Sequence, residues 1–322
     1  MQTHIPDNLT CADLQQIGGK PLLLEIPENP TSATDWAQQN AGRIKSLLDS
    51  NGALLIRGLD IQGSKKFGKV TENIFQSPLL SYQYRSTPRS RMRGNVYTAS
   101  EYHAHETILQ HNESAYSTNW PSHLGFCCMQ TPDTKGATPI TDSHAVYNAI
   151  DPEVRDLFES KGLMYVRNYL DVDLPWQEVF QTQDKAEVEQ FCLQQNMKFE
   201  WLSDDHLRTS QVAQVSLAHP ITNQTVWFNQ AHLFHLSALS QENQSHFLSV
   251  FGEAGLPRNV YFADGSPIEN ALLDHIRDIY QRLQIRFDWQ KSDLLLVDNL
   301  AYTHGREPFT GNRKVLVSMV SL

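Results

Sequence analysis

The chain has no long hydrophobic run. Its most compact apolar stretches, Leu294 to Val297 and Val315 to Val320, are strand-sized, and a membrane-spanning helix needs about twenty apolar residues. Positive charge is also short: 26 Lys and Arg stand against 36 Asp and Glu, a net charge of -10. That balance repels a polyphosphate backbone and an anionic bilayer alike, so neither nucleic acid nor membrane is an expected partner. Cysteine is scarce. The four, Cys11, Cys127, Cys128 and Cys192, show no C-x-x-C spacing, which leaves no zinc ribbon or disulfide framework. On a strand the vicinal pair would point to opposite faces, and the expected role of all four is that of small buried hydrophobes. Met1 to Thr10 lacks the basic and apolar regions of a secretory signal, so a cytoplasmic location is expected. No Gly/Ser linker, repeat or low-complexity block divides the 322 residues, and one domain over 1–322 is the economical reading.

With 40% hydrophobic and 10% aromatic residues, the chain can bury a sizeable core. Asp35 to Leu48 carries Trp36, Ile44, Leu47 and Leu48 at helical offsets, then Asn51-Gly52 and apolar Ala53 to Ile56; this predicts helix, turn, strand. A second helix is predicted from Ile268 to Leu283, where Ala271, Leu272, Ile276, Ile279 and Tyr280 recur at three- and four-residue steps. Strands are predicted at Leu124 to Met129, Leu163 to Tyr169, Thr225 to Phe228, Asp293 to Val297 and Val315 to Val320. Leu174 to Trp201 differs, with a helical segment over 185–195 among Trp176, Phe180, Phe191, Phe199 and Trp201. It is expected to be an insertion or lid, around 170–205, over the site. Mixed strands with peripheral helices and no βαβ alternation predict an antiparallel double sheet whose mouth takes a small molecule.

Thirteen histidines are too many to be informative singly. Gln110-His111-Asn112-Glu113 places an imidazole and a carboxylate two residues apart, hence on one face of an extended strand, with Asn112 facing away. Near the carboxyl end, Leu294 to Asp298 predicts a buried strand that delivers His304 at its exposed end. Two imidazoles and one carboxylate on one face of an octahedron leave three open positions, which suits non-haem iron(II) and dioxygen. A structural zinc site would instead be closed. Arg313 is read as the start of the last strand, where a planar guanidinium could clamp a carboxylate bidentately. The readings left open at this point are an iron oxygenase, a cupin-like metal hydrolase or isomerase using the same triad, and a non-catalytic small-molecule or carrier-binding protein.

The ordered set of motifs goes further. Asn95-Val96-Tyr97-Thr98 with Glu101-Tyr102, His111-Asn112-Glu113 with Tyr116 and Asn119-Trp120-Pro121, and Gly136-Ala137-Thr138-Pro139-Ile140 with Asp142-Ser143 are followed by Val166-Arg167-Asn168-Tyr169. Then come Leu174-Pro175-Trp176-Gln177, Trp227-Phe228-Asn229-Gln230, and Asp298-Asn299 through His304 to Arg313. This pattern, over roughly residues 20–322, resembles the taurine dioxygenase (TauD/TfdA) family of Fe(II)/2-oxoglutarate-dependent oxygenases, in its SyrP-like branch. The resemblance implies a double-stranded β-helix (jelly-roll, cupin-like) core of the clavaminate synthase type. It implies His111, Glu113 and His304 as iron ligands and catalytic residues, and Arg313 and Thr138 on the distal carboxylate of 2-oxoglutarate. Arg306 is a further cosubstrate-side residue, fixing the loop after His304. Dioxygen is the co-reactant.

Many family members have Asp where Glu113 stands, and the related halogenases have a small residue there, so halogenation is disfavoured. The activity implied is hydroxylation of an amino acid or amino-acid derivative, free or tethered to a peptidyl carrier, in specialised-metabolite and antibiotic biosynthesis; desaturation or epoxidation needs only a different placement of the substrate. Candidate substrate residues are Asn95, Tyr97, Asn229, Gln230 and His232, with Arg89 or Arg167 on a substrate carboxylate. The arginine-rich region 81–93 is open to three readings: a solvated loop, a lid, or a docking patch for an acidic carrier.

Overall fold

The computed structural model describes residues 12–16, 22–26, 32–82, 84–99, 101–170 and 172–322. Cys11 and the Met1 to Thr10 segment lie outside them. Among the described residues the largest layer is a seven-stranded sheet. Its order is Ala12–Gln16, Leu22–Glu25, Ala53–Arg57, Leu294–Asp298, His123–Gln130, Lys314–Val320 and Val96–Thr98. The pairing is antiparallel except between Leu22–Glu25 and Ala53–Arg57, which run parallel.

Leu294–Asp298 is buried at every position, and its apolar run makes sense because the sheet is covered on both faces. Leu294 and Leu296 join a cluster with the helices Ala33–Asn51 and Gly63–Phe75, through Ile44, Leu48, Phe67 and Val70. Leu295 and Val297 turn the other way, toward Phe126, Val315 and Val317. The vicinal cysteines follow the same alternation, Cys127 on the helical face and Cys128 on the inner one, both unpaired. The first helix starts where Ser32 Oγ accepts from the Asp35 amide, and it ends at Gly52, whose φ of +74° is a left-handed cap.

A second, four-stranded antiparallel sheet runs Lys198–Trp201, Leu207–Ala213, Leu163–Tyr169, Arg258–Phe262. The helix Asn270–Leu283 buries Leu273, Ile276, Ile279 and Tyr280 in the core beside it; Ile268 is buried too but precedes the helix. The segment expected as an insertion forms the helices Trp176–Phe180 and Lys185–Gln194 and the strand Lys198–Trp201. That strand is an edge of the four-stranded sheet, and Trp176, Val179, Val188 and Cys192 are in its core. No helix among the described residues is long and apolar enough to cross a membrane.

Candidate active site

A third sheet has three strands, in which Tyr302–Arg306 is flanked by Ile108–His111 and Ile140–Asp142. Its register sets His304 directly opposite His111, with ring centroids 4.5 Å apart. The ladder slips between His304 and Arg306, and at that slip stands Gly305, where a Cβ would lie 2.8 Å from the Ile108 carbonyl oxygen. Only a residue without a side chain lets the strands approach so closely. His304 therefore lies within a second strand, after a turn, and is buried; it is not at the exposed end of Leu294–Asp298.

The H-x-E reading needs a similar correction. The strand ends at His111, and Glu113 opens the turn that follows, so strand alternation is not what unites them. Asn299 is. Its Oδ1 accepts from the Glu113 amide at 2.7 Å and its Nδ2 donates to the Glu113 carbonyl at 3.0 Å. Asn112, facing away as expected, donates to the carbonyls of Asn299 and Tyr302 and to Ser143 Oγ. Asp298 secures the turn that carries Asn299 by accepting from the amides of Leu300 and Ala301. The Asp298-Asn299 pair was visible in the sequence but had no assigned role, since nothing local to it indicates a partner so distant along the chain.

Donor atoms of His111, Glu113 and His304 all lie within 4.8 Å of one another, the one such group of three among the described residues. All three residues are buried. His111 Nδ1 donates to the Leu109 carbonyl at 2.8 Å, which fixes the tautomer and leaves Nε2 as a lone-pair donor. Burial, with His304 beside it, pushes the His111 pKa down to about 3, so the ring is neutral. Burial alone would push the Glu113 carboxyl up, but Arg89, with His304 and His111, holds it well below the usual carboxylate range. Arg89 Nη2 donates to Glu113 Oε2 at 2.7 Å. A neutral imidazole, an ionised carboxylate and a second imidazole whose Nδ1 is buried without a partner fit a divalent iron in an open octahedral set.

One cavity joins this cluster to the expected cosubstrate residues: His111 and His304 border it together with Arg89, Thr138, Arg306 and Arg313. Arg313 lies one residue before the strand Lys314–Val320 rather than inside it. Its Nε donates to the Gly136 carbonyl at 2.8 Å and its Nη2 to Thr138 Oγ1 at 3.0 Å; neither oxygen belongs to a carboxylate. Burial, followed by the like charge of Arg306, pushes Arg313 down to about 10. A bound anion would relieve both effects. Thr138 Oγ1 also accepts from Trp289 Nε1 at 3.1 Å, a contact the sequence did not suggest. Arg306 donates to the carbonyls of Tyr102, His103 and Glu106. It thereby ties the 102–106 segment to the strand of His304.

Of the seven candidate substrate residues, Arg89 alone borders this cavity. Asn95 holds the Leu79 carbonyl and accepts from Arg91, and Tyr97 Oη accepts from the Tyr82 amide. Asn229 bonds the Val215 carbonyl and the Ala231 amide. Gln230 donates to the Asn112 carbonyl, and His232, stacked on Tyr280, bonds the Gln110 carbonyl. These last two hold the backbone of the 110–112 segment. Arg167 is buried between the rings of Tyr84 and Tyr169 and donates to the Arg85 carbonyl.

Comparison with known proteins identifies the family. The profile of the "Taurine catabolism dioxygenase TauD, TfdA family" matches residues 20–319. The chain is 39% identical over 278 residues to the dapdiamide synthesis protein DdaC of Enterobacter agglomerans, covering 86% of this chain and 84% of that protein. It is 32% identical over 288 residues to a clavaminate synthase-like protein of Arabidopsis thaliana, with 86% and 83% covered. In fold it is similar to PvcB from Pseudomonas aeruginosa, with a TM-score of 0.56 at 16% identity over 100% of this chain and 94% of that one. It is likewise similar to AAD-2, solved with Mn(II) and N-oxalylglycine, with a TM-score of 0.53 at 14% identity over 92% of each chain. The chain belongs to the TauD/TfdA family of Fe(II)/2-oxoglutarate-dependent dioxygenases.

Proposed function

We propose that the protein hydroxylates an amino acid or amino-acid derivative in specialised-metabolite biosynthesis. It would work in the cytoplasm as a single domain over 1–322, built on a double-stranded β-helix core with the 170–205 region as its cover. The observation that carries this reading is the convergence of His111, Glu113 and His304 within 4.8 Å at a cavity that also holds Arg313 and Thr138. The substrate class is supported by the likeness to DdaC, a dapdiamide synthesis protein.

In this reading His111, Glu113 and His304 hold iron(II). With 2-oxoglutarate and dioxygen the bound metal supplies the conversion of a substrate C–H to C–OH, releasing succinate and carbon dioxide. Arg313 and Thr138 bind the far carboxylate of the oxoacid. Each is already held: Arg313 by the Gly136 carbonyl and Thr138 by Trp289, so little ordering is required on binding. Arg306 steadies the strand of His304. Phe126, whose ring lies 4.9 Å from that of His304, and Val315 and Ile108 line the cavity with apolar surface and keep bulk water from the reacting carbon. A metal hydrolase built on the same triad would have no use for the Arg313–Thr138 pair.

The test is anaerobic addition of Fe(II) and 2-oxoglutarate. A weak visible charge-transfer band is expected in the intact protein and is expected to vanish in His304→Ala. No band at saturating ligands in the intact protein would overturn the reading.

A further inference from the structure

We infer that Arg89 anchors a free carboxylate of the substrate, so that the protein acts on a small amino-acid-like acid and not on one joined through that carboxyl to a carrier. The inference rests on the oxygenase reading above and names the substrate class of the same cavity. Arg89 borders the cavity beside His111 and His304. Its side chain is 3% exposed, and guanidinium does not deprotonate in proteins. One of its nitrogens bonds Glu113. The other two, Nε and Nη1, are buried with no hydrogen-bond partner. Buried donors of a charged group are costly to leave idle, and the residue that carries them borders the cavity.

The guanidinium is also held ready. It lies over the Tyr82 ring at 4.7 Å, and Tyr82 is fixed by its amide donating to Tyr97 Oη. The backbone between them is tied down by Arg167 on the Arg85 carbonyl and Arg258 on the Ser86 carbonyl. Charge gives the sign of the ligand. Iron(II), Glu113, a dianionic oxoacid and Arg313 form a neutral set, so once Glu113 is shared between the metal and Arg89, its partner at 2.7 Å, the cavity carries one net positive charge. A substrate carboxylate offsets that charge and accepts from one of the two idle donors, Nη1 or Nε, which point to different sides of the guanidinium. A thioester at that carbonyl has no charge to offer.

The experiment uses the full chain loaded anaerobically with Fe(II) and 2-oxoglutarate, and a panel of free amino acids and N-acyl amino acids with their carboxamides and pantetheine thioesters. Binding is read as perturbation of the charge-transfer band, and turnover as succinate formed. Free acids are expected to perturb the band at roughly tenfold or more lower concentration than their matched amides and thioesters. Arg89→Met is expected to reduce that acid-to-amide preference to about one, and Arg89→Lys to restore part of it, since it keeps the charge but not the fork. Thioesters binding as tightly as the acids, no response to any free acid, or an unchanged preference in Arg89→Met would each overturn the inference. If the band forms without substrate and only these results fail, the oxygenase reading stands and the anchor does not; if no band forms, the oxygenase reading itself has failed.

Discussion

Asn299 shows how much of this site is held by side chains that touch no reactant. It is fully buried, and its amide group spends every bond on backbone: the amide and carbonyl of Glu113 and the carbonyl of Pro121. Removing it leaves three buried polar groups unmatched, each costing about 1–3 kcal/mol before relaxation. Asn299→Ala is therefore expected to destabilise the fold by about 2–4 kcal/mol in urea unfolding. It should also weaken Mn(II) or Fe(II) binding by roughly 10–100-fold, the usual cost of losing a group that orients a ligand. Titration of the metal checks the second effect independently. Normal metal affinity in a folded Asn299→Ala protein would mean that Glu113 keeps its position without this clamp.

Among the elements, strands made of continuous apolar residues could be read directly. Leu294 to Val297 and Val315 to Val320 alternate between two covered faces, and that alternation is written in the chain. What could not be read was register. His111 and Glu113 are both correct in type and spacing for a metal pair, yet the strand stops between them, and a contact 186 residues away determines where Glu113 lies. The substrate candidates failed to gather for the same reason: Asn229, Gln230 and His232 are polar residues consumed by distant backbone, which no local pattern records.

The closest approach of the site strands depends on Gly305. Gly305→Ala would drive a methyl group against the Ile108 carbonyl and the Gln110 backbone. A stability loss of about 1–3 kcal/mol is expected, with weaker metal binding because His111 and His304 sit on the two strands forced apart. Chemical denaturation with and without Mn(II) separates the two effects: the metal should stabilise the variant less than the parent.

Across the whole molecule, buried charge links the layers. Asp298, at the end of a central strand, accepts from His219 at 2.9 Å, has His123 nearby and accepts the amides of Leu300 and Ala301. Burial would raise its carboxyl, but these partners hold it below the ordinary carboxylate value. A depressed carboxylate contributes stability that is complete above its unfolded pKa, about 3.9, and is lost as pH falls through the lower folded value. Asp298 also raises the pKa of His219, so the gap in urea midpoints between the parent and Asp298→Asn should be widest at about pH 5, shrink as pH rises past about 6.5 and His219 loses its charge, and close on further acidification. A gap that went on widening below about pH 5 would show that Asp298 is protonated in the native state.

The proposed ligand set is also divided in time. A chain leaving the ribosome presents His111 and Glu113 early, but His304, Gly305 and Arg313 emerge far later, and the middle strand of the site sheet is the last of its three to be made. Until that strand docks, only two of the three proposed ligands are present, so the full metal set can form only after the carboxyl-terminal part of the chain has been made and packed.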